Sequence, residues 1–297
     1  MINPFWLARN VRRSWANRGS ASDFARRLAW IYASKLPQCL RRPHWEISFQ
    51  YPPPIGAVRL HVRDNDGADA FILSEVFDLD TYNFERVTSP ATILDLGANV
   101  GYSVIYLSRR FPSASVACVE PIASNAAVLR KNFSLNAVQA TVFEAAVDSE
   151  DGTLSMELAK LDYGHRVSRE SVSGAYELAN VRSICVPSLM KALGWDRIGL
   201  VKVDIEGHER TVLTQENSWL HRVDALCVEW HDEGGESALA ELALQFGFFA
   251  PECCRGVWLL TRPTAAPSSA PPPPWRLSET VTWRAPEERT PSEPSRC

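Results

Sequence analysis

What this chain lacks already excludes several kinds of chemistry. No apolar run approaches the roughly 18 residues of a membrane-spanning helix, so nothing in it reads as a transmembrane segment. Charge of neither sign dominates. The formal net charge of −4 gives no basis for nucleic-acid binding. The seven cysteines show no metal-ligand spacing. Cys118, Cys185 and Cys227 lie in apolar runs, where cysteine behaves as a small hydrophobe, and the adjacent Cys253 and Cys254 cannot form an ordinary disulfide with each other. That usage predicts a reduced, cytoplasmic protein. The G-x-G-x-x-G of dinucleotide dehydrogenases is also missing, which counts against a nicotinamide-dependent oxidoreductase.

What is present divides the chain in three. Residues 1–44 carry nine Arg or Lys against the single acid Asp23, interleaved with Phe5, Trp6, Trp15, Phe24 and Trp30. A basic, aromatic helical arm over 1–50 suits either packing on the body of the protein or peripheral contact with an anionic membrane. Serine is sparse there, which argues against a transit peptide. Residues 263–297 are rich in Pro, Ser and Thr, the composition of a disordered or polyproline tail. Between them, 51–262 has the length and apolar content of one domain.

Within that domain, alternation at 58–62, the turn Asp64-Asn65-Asp66-Gly67 and an apolar run at 70–73 predict a hairpin over 56–73. From 91 to 262 strand and helix patterns alternate. Strands are expected at 93–96, 115–119, 141–147, 200–203 and 225–230, with helices at 103–110, at 124–133 opened by Ser124, at 209–213 and at 238–246. Shorter strands are expected at 153–158 and 181–186, and 248–251 with 257–260 as a final antiparallel pair. The order predicts an α/β fold with a mostly parallel, seven-stranded, Rossmann-like sheet covered on both faces. Ligands in such sheets bind beyond the carboxyl ends of the strands.

Five of those ends carry chemistry. The first reads Asp95-Leu96-Gly97-Ala98-Asn99-Val100-Gly101, a glycine turn between strand and helix. Its glycines lie four apart with an acid two places before the first, which suits a cofactor bearing a cationic amino group and points to S-adenosylmethionine. The second ends Val119-Glu120-Pro121, where an acid is placed to accept both ribose hydroxyls or to cap the following helix. The third, at Ala145-Ala146-Val147-Asp148, suits an adenine pocket or plain core. The fourth runs Lys202-Val203-Asp204-Ile205-Glu206-Gly207-His208-Glu209, an ionisable cluster of the kind catalytic sites use to shift pKa values. The fifth strand ends Glu229-Trp230-His231 on the same rim.

Together these motifs resemble the FkbM-type family of class I S-adenosylmethionine-dependent methyltransferases, from about 78 to 260. The stretch 201–209 matches the family's lysine-x-aspartate-x-glutamate-glycine-x-glutamate signature, 95–103 its cofactor loop and 119–121 its ribose strand. Pro187-Ser188-Leu189-Met190 departs from its usual threonine-leucine-aspartate turn, and with it the capping acid.

The resemblance implies methyl transfer to a hydroxyl oxygen of a sugar, glycan or other secondary metabolite. Asp95, Gly97, Ala98, Asn99, Gly101, Ser103, Glu120, Pro121 and Ala146 would then hold the cofactor. Asp204 and Glu206 would face the transferred methyl, with His208 or His231 as base. A metal-dependent variant would draw on Asp204, Glu206, His208, Glu229 and His231, and a non-catalytic scaffold would bind no cofactor. Acceptor contacts are expected from variable loops, 160–180 and 232–237; in the first, Tyr163, His165, Arg166 and Arg169 suit either a polyol or acidic acceptor or a solvated lid.

Overall fold

A computed structural model describes residues 11–33, 41–158, 166–167 and 177–262. Phe5, Trp6, the loop residues Tyr163, His165 and Arg169 and the expected tail 263–297 lie outside them.

The N-terminal region packs on the body. A helical segment at 11–16 precedes helix α1 (Ala21–Ile31), whose first turn is capped by the Ser20 hydroxyl accepting from the Asp23 N–H at 3.1 Å. Trp30 is buried and its indole N–H donates to the Arg63 carbonyl at 2.7 Å. Arg27 forms a buried ion pair with Asp78. Trp15 stays half exposed, edge-on to Phe24 and beneath the Arg18 guanidinium.

The expected hairpin is corrected. Strand β1 (His44–Gln50) lies inside the arm expected to be helical and pairs antiparallel with β2 (Ala57–Arg63), from His44↔Arg63 to Gln50↔Ala57. The apolar run at 70–73 belongs to helix α2 (Ala68–Leu73), which continues as a π-helical turn, Ser74–Asp78. The turn before it opens a helix: Gly67 takes the N-cap at φ +98°, and the Asn65 side chain accepts the Asp69 N–H of the first turn at 3.1 Å, a bond that a hairpin would leave unmade.

The core alternates as expected. Strand β3 (Thr92–Leu96) leads into α3 (Tyr102–Arg110), then β4 (Ser115–Val119), α4 (Ala123–Asn136) and β5 (Ala140–Phe143). The expected strand 141–147 is two: after β5 the chain leaves the sheet, and β6 (Ala146–Asp148) joins a second one with β7 (Gly152–Leu158), β8 (Arg166–Val167) and β9 (Glu177–Cys185). Helix α5 (Val186–Leu193) replaces the end of the strand expected at 181–186; Pro187 sits in its first turn, where a missing N–H costs nothing. The capping acid missing there is supplied by Asp151, which accepts from the Cys185 N–H and the Ser188 hydroxyl, both at 2.8 Å.

Strand β10 (Ile198–Val203), helix α6 (Glu209–Thr214), β11 (Val223–Glu229) and α7 (Gly235–Phe246) complete the parallel part. The closing antiparallel pair is β12 (Glu252–Cys254) with β13 (Val257–Thr261); the stretch 248–251, expected to be its first strand, is the connection from α7. The main sheet has the order β12-β13-β11-β10-β3-β4-β5, with β13 antiparallel to β11.

Alternating residues of the central strands feed two apolar cores. Ile93, Val116, Cys118, Leu200 and Cys227 meet β1, β2, α3 and α4, whereas Leu94, Ala117, Val201, Val203 and Leu226 meet α5 and α7. Among the described residues no helix is long and apolar enough to cross a membrane.

Candidate active site

A cavity of about 320 Å³ opens where β3, β4, β10 and β11 end. Gly97, Ala98, Asn99, Ser103, Glu120, Pro121, Ala146, Asp204, Glu206 and His208, all singled out from the sequence, line it. Asp95, Gly101 and His231 do not.

Asp95 is fully buried beneath the loop. It accepts from the Ser103 hydroxyl at 2.6 Å and pairs with the Lys202 ammonium at 3.1 Å. Lys202 also donates to the Gly97 carbonyl at 2.8 Å and reaches Asp204 at 3.2 Å. Burial works against its charge, but Asp204 and Asp95 hold its pKa well above the ordinary lysine value. Asp95 therefore shapes the loop through Lys202 and Ser103, and no part of it meets the cavity.

Both glycines answer to packing. Gly97 has φ +89°, and a Cβ there would lie 1.9 Å from the Asp204 carbonyl oxygen. Gly101 has φ +84°, and its Cβ would lie 2.8 Å from Phe133. The first lets the β3 and β10 loops touch; the second lets α3 sit against α4.

Glu120 is almost fully buried at the end of β4. One oxygen accepts the Asn99 N–H at 2.8 Å, and the other accepts the Ile122 N–H at 2.9 Å and the Asn125 amide at 3.2 Å. It thus serves the start of α4 as well as the cavity. Ile122 occupies the N-cap and Ser124 lies inside the helix. Burial outweighs these donors and pushes the carboxyl up to about 7. Behind it, Asn125 accepts from the Arg63 guanidinium at 2.8 Å, and Arg63 pairs with Asp69 at 2.7 Å, both buried.

The opposite rim is acidic. Glu206 has φ +54°, an unusual left-handed conformation for a residue other than glycine. His231 Nδ1 meets the fully buried Glu209 at 2.8 Å, and its Nε2 lies 3.5 Å from Glu206, 3.9 Å from Glu229 and 4.0 Å from Asp204. Burial would lower the imidazole pKa, but the hydrogen bond and charge of Glu209, with Asp204 and Glu206, raise it to about 9. At neutral pH this ring is a cation that donates. The structure keeps His208 apart from this group: its Nε2 meets Asp148 at 2.9 Å across the cavity floor. Ligand atoms of Asp204, Glu206 and His231 lie within 4.8 Å of one another, a spacing able to hold a divalent cation.

Sequence reasoning missed several lining residues: Glu75 and Tyr82 before the core, Asn125 on α4, Met156 on β7 and Arg255 in the final hairpin. Burial, with the charges of Asp204 and Glu206, pushes Glu75 up to about 7. A signal existed for it. Phe71, Ile72, Glu75 and Val76 all line the cavity, and their i, i+1, i+4, i+5 spacing is helical.

The strand order, with a carboxylate ending the second core strand and an acidic rim at the fourth and fifth, defines a Rossmann-like methyltransferase of class I. The chain belongs to the methyltransferase FkbM domain family, whose model matches residues 95–248. It is similar to methyltransferase sdnD of Sordaria araneosa, 27% identical over 60% of this chain and 81% of that protein. It is also similar to the 31-O-demethyl-FK506 methyltransferase FkbM of Streptomyces tacrolimicus, 26% identical over 64% and 83%. Among solved structures, the 16S rRNA N2 G1207 methyltransferase of T. Thermophilus, in complex with AdoMet and guanosine, aligns over 75% of this chain and 52% of its own. Its identity is 15% and its TM-score 0.38.

Proposed function

We propose that this methyltransferase draws its methyl group from S-adenosylmethionine and delivers it to a hydroxyl oxygen of a sugar, glycan or secondary metabolite. One observation carries the reading. A single cavity has a buried carboxylate suited to ribose hydroxyls at one end, Glu120, and a group of carboxylates suited to a cation at the other, Asp204, Glu206 and Glu229. A molecule with a ribose and a sulfonium matches both ends. S-adenosylmethionine supplies an already activated methyl group, so the protein's task is alignment and proton removal.

In this reading Glu120 and Pro121 hold the ribose, and Ala146, Val147 and Met156 cover the base. Gly97, Ala98, Asn99 and Ser103 cradle the amino-acid end. Asp204, ion-paired with Lys202, lines the sulfonium end. The relative from Streptomyces tacrolimicus is named for a 31-O-demethyl substrate, which supports an oxygen acceptor.

Calorimetry with S-adenosylmethionine tests the reading. Micromolar binding is expected, weakened about 10- to 100-fold by Glu120→Ala through loss of charge-assisted hydrogen bonds; absence of binding at millimolar concentration refutes it. The spacing of Asp204, Glu206 and His231 supports a second reading, metal-assisted transfer. It predicts a Mn²⁺-dependent rise in melting temperature that His231→Ala abolishes.

A further inference from the structure

The acids around the cavity are not equivalent. Asp204 is paired with Lys202, Glu206 with His231, Asp148 with His208, and Glu120 accepts from three donors. Glu209 is held by His231 and by the Ile205 and Gly207 N–H groups, and Glu229 lies 3.9 Å from the His231 ring. Glu75 differs. It lines the same cavity, yet among the described residues its carboxyl has neither a hydrogen bond nor an ion pair.

Its placement is built. The Thr81 hydroxyl donates to the Glu75 carbonyl at 2.8 Å, and the Leu79 N–H reaches back to the Ser74 carbonyl at 2.8 Å in the wide turn of the π-helix. Such turns re-aim side chains and concentrate at functional sites. The charges that act on Glu75 are Asp204 and Glu206, and its own charge acts on Glu229. It therefore shares the cavity lining with Asp204, Glu206 and Glu229 and lies within reach of their charges. Phe71, Ile72 and Val76 of the same helix form an apolar wall beside it.

We infer that Glu75 is the carboxylate that faces the transferred methyl group and receives the proton of the acceptor hydroxyl. The inference rests on the reading of the cavity as a site for S-adenosylmethionine. In the step it serves, the acceptor O–H bond breaks and its proton passes to a Glu75 oxygen. The oxygen keeps that electron pair and bonds the methyl carbon, while the pair of the carbon–sulfur bond stays on sulfur. The positive charge of the sulfonium and the negative charge of Glu75 cancel together, leaving a neutral ether, a neutral thioether and a neutral carboxylic acid.

The test needs no acceptor. Sinefungin carries a protonated amine where S-adenosylmethionine carries its methyl sulfonium, and S-adenosylhomocysteine has no charge there. Calorimetry at pH 8 on the whole chain is expected to show sinefungin binding more tightly than S-adenosylhomocysteine. In Glu75→Gln that preference falls at least about tenfold, as loss of a charge-assisted contact requires, while affinity for S-adenosylhomocysteine stays within about twofold. Glu75→Asp, which keeps the charge on a shorter arm, restores part of the preference. An unchanged preference in Glu75→Gln, with S-adenosylhomocysteine still bound, overturns the role of Glu75. If the unaltered protein binds neither compound, the cofactor reading itself has failed.

Discussion

Three carboxyls around one cavity, Glu75, Glu120 and Glu229, are each pushed up to about 7, in every case chiefly by burial. The consequence for folding has a definite sign. Each folded pKa lies above the ordinary 4.5, so the stability these groups contribute is complete below about pH 4.5 and is lost as pH rises through 7. Urea titrations of the free protein are expected to show that loss. A bound sulfonium reverses it, because a cation favours the ionised forms of Glu75 and Glu229. Affinity for S-adenosylmethionine relative to S-adenosylhomocysteine should rise roughly threefold or more from pH 6 to pH 8, with proton release below pH 7. A ratio that falls over this range contradicts the arrangement.

At the scale of elements, helix α4 links the fold to the site. Asn132 accepts the His61 N–H at 2.7 Å, and Asn136 accepts the Arg59 N–H at 3.0 Å and donates to the Arg59 carbonyl at 2.7 Å. These amides stand in for a neighbouring strand along the edge of β2. Asn125, on the same helix, instead holds Glu120 and Arg63 together. Asn136→Ala is expected to cost about 1–3 kcal/mol of stability, the penalty for partly buried backbone groups left without their partner, and to leave S-adenosylhomocysteine affinity unchanged. Asn125→Ala should lower both. Equal effects of the two on affinity, measured by calorimetry, would break this division.

The whole molecule shows where sequence patterns suffice. From β3 onward, long buried strands and 3.6-residue periods made the parallel sheet and its ligand-bearing ends legible, because a doubly covered sheet imposes local patterns. The cavity wall before β3 was not legible. An apolar run of four residues fits strand or helix equally, and the Asn65–Asp69 hydrogen bond and the buried Arg63–Asp69 pair decide for helix. Gly101 and Asp95 carried the right motif for reasons of packing and loop support. Residues such as Met156 enter through a second sheet whose position no local pattern encodes.

The same dependence bears on domain limits. Ile47, Phe49, Val58 and Leu60 share one apolar core with Val104, Tyr106 and Leu129. A fragment 91–262 would bare that face, and is expected to be insoluble or to lack a cooperative urea transition, whereas the whole chain is expected to show one.

The 1.9 Å separating a hypothetical Gly97 Cβ from the Asp204 carbonyl has a consequence for diversification. The loops after β3 and β10, proposed above to face donor and acceptor, are in close backbone contact, with Lys202 bonded to both. Neither can be remodelled alone, so the 204–209 loop is a poor place to retune acceptor choice. New acceptor preferences have to be written into walls that leave this contact intact, at Phe71, Ile72 and Val76 and at Arg255. A library confined to those four positions should change which acceptors are methylated while leaving affinity for the methyl donor as it was.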